Sequence, residues 1–134
     1  MRYEQLEHTA DVMIKAYGKT LEECYGNAAY ALFDTMVDAT TIVPTQEIDI
    51  VQEGHDYESL LYNFLSEFLF VHDTTRLVLC EFDVTIDGFK INCKARGERL
   101  DLEKHQPKTE IKAITYHMLN VDQNEPSVTV IFDI

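Results

Sequence analysis

The sequence predicts an α+β domain in which two helices pack on one face of a mostly antiparallel sheet. Three observations lead there. Two stretches repeat apolar residues at helical spacing, most of the remaining chain alternates with period two, and two turn signals join strand pairs in the second half. The order is strand, helix, strand, helix and then four strands. No linker, repeat or low-complexity tract divides residues 1–134, so one domain is expected.

Val12, Ile14 and Ala16 alternate ahead of Gly18 and mark the first strand. Thr20 and Glu23, three residues apart, form a capping box that opens the first helix. Its stripe is Leu21, Cys24, Tyr25, Ala28, Ala29, Leu32, Phe33, Met36 and Val37. Ile48 and Ile50 mark the next strand. Asp56 can cap the second helix, whose stripe is Tyr57, Leu60, Leu61, Phe64, Leu65, Phe68 and Leu69 and which ends near His72 and Asp73. Val78, Cys80, Phe82, Val84 and Ile86 then run into Asp87-Gly88, and Phe89, Ile91, Cys93 and Ala95 return from it. Asp-Gly between alternating runs is a strong hairpin signal. Ile111 to Val121 and Val128 to Ile134 flank a longer loop, Asp122 to Pro126, as a second hairpin.

Composition narrows the function. Eleven Lys and Arg against 24 Asp and Glu give a net charge of −13. Direct binding to a phosphate backbone is disfavoured, because affinity there comes from basic residues displacing counterions. A basic partner or a cation is favoured instead. Cys24, Cys80 and Cys93 fit no zinc pattern and sit among apolar residues, so all three are expected to be buried thiols in a reducing compartment. The first residues lack the apolar core of a signal peptide, and the apolar stretch Leu60 to Val71 is interrupted and too short to span a bilayer. A cytoplasmic protein without membrane attachment is expected.

Most enzyme chemistries are missing. Ser59 and Ser66, the two serines, lie inside the second helix without a nucleophile turn, and the five glycines form no phosphate-binding loop. Among His8, His55, His72, His105 and His117 no pair has the spacing of a helical zinc site. His55 and His105 fall in loops, and His117 alternates on a strand face. The carboxylates say more. Asp11 leads into the first strand, Asp133 is penultimate, and Ile134 adds a chain-end carboxylate. If the first strand pairs with the last, three oxygen donors meet, and hard cations such as calcium or magnesium take such donors. Ordinary charged termini are the alternative. Lys112 alternates with Ile114, Tyr116 and Met118, where a charge usually snorkels or pairs with a carboxylate.

Four segments resemble the archease family: His8-Thr9-Ala10-Asp11, Gly18 to Glu23 (GKTLEE), Glu110 to His117 (EIKAITYH) and Val130 to Ile134 (VIFDI). EIKAITYH and the closing DI are the specific parts, and the resemblance spans essentially the whole chain. It implies a fold similar to the Hsp33 chaperone domain. It also implies a non-enzymatic accessory protein for the GTP-dependent RNA ligase of tRNA splicing, one that promotes ligase guanylylation and repeated turnover. Carried over by resemblance, a divalent metal, calcium in known examples, would be held by Asp11, Asp133 and Ile134. Lys112 would be required for activating the ligase.

Two rival readings remain at this point. A metal-dependent hydrolase would use the same carboxylates to hold a metal-activated water, with His8 or His117 as general base. A general chaperone is suggested by fold analogy alone.

Overall fold

The computed structural model describes residues 1–6 and 11–134. The elements run β1 (Tyr3–Leu6), β2 (Asp11–Tyr17), α1 (Leu21–Met36), β3 (Gln46–Glu53), α2 (Tyr57–Thr75), β4 (Leu77–Asp87), β5 (Lys90–Arg99), α3 (Leu102–His105), β6 (Ala113–Asp122) and β7 (Ser127–Asp133). A short 3-10 turn, Ala39–Thr41, follows α1. The α+β class and the two long helices agree with the sequence. The strands, however, form two antiparallel sheets, ordered β1-β2-β7-β6 and β3-β5-β4.

Local chemistry sets the helix ends. Thr20 Oγ1 accepts from the Glu23 N–H at 3.2 Å, and Glu22 and Glu23 place negative charge at the positive end of α1. In α2 the Asp56 carboxylate accepts from the Ser59 N–H at 2.6 Å while Ser59 Oγ accepts from the Asp56 N–H at 3.1 Å. This helix runs past His72 to Thr75 and stops at Arg76, which adopts the left-handed conformation with φ +63°. Its N–H closes the last turn on the His72 carbonyl at 2.8 Å.

Each long helix packs against strands of both sheets, α1 on β2 and β4 and α2 on β3 and β6. The apolar stripes therefore meet one core. At its centre the Phe68 ring lies edge-on to Phe33, Phe64 and Phe82, with centroids 6.0, 4.9 and 5.3 Å away. Edge-to-face pairs of this kind add to the burial of each ring. Gly97 on β5 sits where a Cβ would stand 1.9 Å from the Val78 carbonyl oxygen, so only glycine lets β4 and β5 close here. Gly88 turns the β4–β5 hairpin with φ +61°.

His105 departs from its expected place in an open loop: it is wholly buried. Its Nδ1 accepts from the Asp101 N–H at 2.8 Å, so the proton resides on Nε2, which faces Glu98 Oε2 at 2.8 Å. Glu98 also accepts from the Val43 N–H at 2.7 Å and from Lys104. Desolvation alone would raise its pKa. Lys104, the Val43 N–H and His105 outweigh that and hold the carboxyl down at about 2. Among the described residues no helix is long and apolar enough to cross a membrane.

Candidate functional site at the end of the four-stranded sheet

Strand register builds the site. β2 pairs with β7 antiparallel so that Asp11 stands directly opposite Asp133, with Val12 opposite Phe132 in the next row. β6 pairs on the other side of β7, Ala113 opposite Asp133 and Ile114 opposite Phe132. Val12, Phe132 and Ile114 are 7%, 0% and 4% exposed and face the core. Alternation then turns Asp11, Asp133 and Ala113 to the opposite face. The pairing on which the sequence argument depended is present. Directly opposed residues carry Cβ atoms about 5 Å apart, close enough for like charges to repel.

Lys112 lies at the same end. Its N–H donates to the Asp133 carbonyl at 2.7 Å, extending the ladder one residue beyond β6. The Lys112 side chain is exposed and borders a concavity of about 250 Å³ with Tyr62, Phe70 and Asp73 of α2. Among the described residues its ammonium has no ion pair, in contrast to Lys94, Arg96 and Lys104. The apolar strand face expected around Lys112 is only partly there. Ile114 is buried, but Tyr116 and Met118 are 52% and 55% exposed. The reason is a break in pairing between Thr115 and Asn120, where Met118 takes φ +59° and the side-chain phase is lost. Tyr116 instead stacks on Tyr62 of α2, with centroids 4.3 Å apart.

The donor set suits a hard cation. Two opposed carboxylates are fixed by register, and Ile134 adds a backbone carbonyl oxygen next to Asp133. Among the described residues there is no group of three or more His, Cys, Asp or Glu side chains placed for a metal. His8, the nearest histidine in sequence, lies outside the described residues. One row along the same face, opposite Ile131, the Thr115 hydroxyl is fully buried with no hydrogen-bond partner. His117 is exposed in the unpaired part of β6.

The thiols are remote from this chemistry. Cys24 and Cys93 are buried, and desolvation pushes their pKa values up to about 11 and about 12. Cys80 is half-buried rather than buried; desolvation raises it too, and its Sγ lies 3.6 Å from the Ile42 carbonyl oxygen. None has the depressed pKa of a nucleophile. Sequence reasoning missed Tyr62, Phe70 and Thr115. Tyr62 and Phe70 fall off the apolar stripe of α2, and an off-stripe aromatic was the available signal; Thr115 gave none.

Residues 3–134 match the model of the Archease protein family (MTH1598/TM1083). This chain belongs to the archease family. It is 47% identical to protein archease of Pyrococcus abyssi over 126 residues, covering 91% of this chain and 89% of the relative. The archease of Sulfurisphaera tokodaii is 36% identical over 137 residues, with 99% of each covered. The solution structure of Methanobacterium thermoautotrophicum protein 1598 superposes with a TM-score of 0.86 at 34% identity, over 99% of both chains. A Thermotoga maritima crystal structure, described as an archease and possible chaperone, gives 0.64 at 21% identity over 98% of this chain and 96% of that one. Asp11, Lys112 and Asp133 come from three segments of the sequence and are brought to one end of the sheet by the β2–β7–β6 ladder.

Proposed function

We propose that this chain is a cytoplasmic accessory protein that activates the GTP-dependent RNA ligase of tRNA splicing, promoting its guanylylation and its repeated turnover. The family resemblance supplies the partner. The observation that carries the reading is the register placing Asp11 opposite Asp133 with Lys112 hydrogen-bonded to the same residue. In this reading Asp11, Asp133 and Ile134 offer oxygens to a divalent cation, calcium being the expected one. Bound there, the cation offsets two negative charges and ties β2 to β7. Lys112, at the same end of the sheet but on its α2 side and unpaired among the described residues, keeps its ammonium available to a nucleotide-transfer centre on the ligase. The net charge of −13 supports encounter with a basic enzyme surface. No catalytic step is assigned to the chain itself.

The test is ligase guanylylation, followed by radiolabelled GTP, in the presence and absence of this protein and of calcium. A faster approach to the guanylylated ligase supports the proposal. An unchanged rate at saturating protein and calcium rejects it.

A further inference from the structure

A second cavity, of about 370 Å³, opens where the C-terminal ends of α1 and α2 meet the segment after α3. Its floor is apolar, with Met36, Val37 and Ile111 all buried. His72 and Arg76 line it at the C-terminal end of α2, and Lys108 lines it from the segment after α3, where the Lys108 N–H donates to the Met36 carbonyl at 2.8 Å. Cavities of this size and mixed lining are typical of small-molecule sites.

His72 is the informative residue. It is 8% exposed. Its Nδ1 lies 2.8 Å from the Leu77 carbonyl oxygen, which can only accept, so Nδ1 carries the proton and Nε2 of the neutral ring is a free acceptor. Among the described residues Nε2 has no hydrogen bond. There the one fully buried side-chain polar atom without a partner is Thr115 Oγ1, so Nε2 keeps some exposure, and His72 lines this cavity. Arg76 and Lys108 likewise have no ion pair among the described residues. Lys108 contributes to the lowered pKa of Asp38, behind the hydrogen bonds from Thr40. Asp73 and Glu110 also border the cavity, but no metal-holding group forms among the described residues.

We infer that this cavity binds a small organic anion: a carboxylate or phosphate held by Arg76 and Lys108, with a hydroxyl or amine donating to His72 Nε2. Asp73 and Glu110 favour ligands that bring such donors over bare anions. The inference does not rest on the ligase reading, though Asp73 also borders the concavity beside Lys112, and its test needs no ligase. Citrate, glycerol 3-phosphate and inorganic phosphate are titrated into the purified protein while the ring nitrogens of His72 are followed by NMR. Citrate or glycerol 3-phosphate should shift Nε2 with saturation, whichever of the two anionic groups the cavity prefers, and more strongly than inorganic phosphate. Arg76→Asn, chosen because Asn tolerates the left-handed conformation, and Lys108→Gln should each weaken binding about tenfold. Lys94→Gln, on the remote sheet, should not. The inference is overturned if no probe moves the ring at millimolar concentration, or if binding survives both variants in protein that circular dichroism shows folded. It is equally overturned if only added ligase moves it, which would make the cavity a protein-docking site.

Discussion

Lys112 donates its N–H to Asp133 and exposes its side chain, so the residue has separable structural and functional halves. Lys112→Ala keeps the backbone bond and removes an ammonium that has no ion pair among the described residues. Its stability should change by less than about 0.5 kcal/mol, the usual range for a surface substitution. Lys112→Arg keeps the charge and alters its donor geometry, and should restore activation only in part. Asp133 behaves oppositely, because its carboxylate faces Asp11. Calcium at 100 times its dissociation constant should stabilise the protein by roughly 2.7 kcal/mol, read as a rise in melting temperature. Asp133→Asn should abolish most of that rise; an identical rise in the variant would remove Asp133 from the site. The thiols make a third check at this scale. Cys24 and Cys93 should label slowly in the native protein and rapidly in denaturant, with Cys80 the fastest of the three in the native state. Rapid native labelling of Cys24 or Cys93 would contradict their burial.

Elements are joined by Glu98, which ties β5 to α3 through His105 and Lys104 and to the segment before β3 through the Val43 N–H. Its folded pKa, about 2, lies below its ordinary value of 4.5. The unfolded chain therefore binds the proton more tightly, and the contribution of Glu98 is complete above about pH 4.5 and lost as the pH falls through about 2. Urea midpoints measured from pH 5 to pH 2 should fall, and Glu98→Gln should flatten its share of that fall. A variant with the same slope as the wild type would contradict the network. Which elements were legible in the sequence follows the range of the forces that define them. The Thr20 and Asp56 caps and the Asp87-Gly88 turn are local and read directly. The β1 strand Tyr3–Leu6 was missed because its short edge carries no clear alternation. Burial of His105 was missed because Glu98, seven residues away, and the Asp101 N–H come together only in three dimensions. The strand after Lys112 is expected to start two residues earlier and stop one short, and without its break, since nothing in the residue types announces a left-handed Met118.

At the scale of the molecule, alternation identified the strands but not their partners, so two sheets could not be told from one. The pairing of β2 with β7 joins nearly opposite ends of the chain, and the sequence alone offered it only as a condition for Asp11 to meet Asp133. Long-range packing also sets stability. Phe68 touches rings from α1, α2 and β4, and Phe68→Ala should cost about 3–5 kcal/mol in chemical denaturation. A loss below about 1 kcal/mol would show that this ring cluster is not the centre of the core. The central claim is that the β2–β7–β6 end of the sheet is the ligase-activating site, and multiple-turnover ligation tests it most directly. Purified ligase would be given excess RNA substrate with calcium and either the wild-type chain or folded Lys112→Ala. The wild type should carry the ligase through repeated turnovers, while the variant, equally stable and equally responsive to calcium, should leave it near a single turnover. Full stimulation by Lys112→Ala would contradict the assignment.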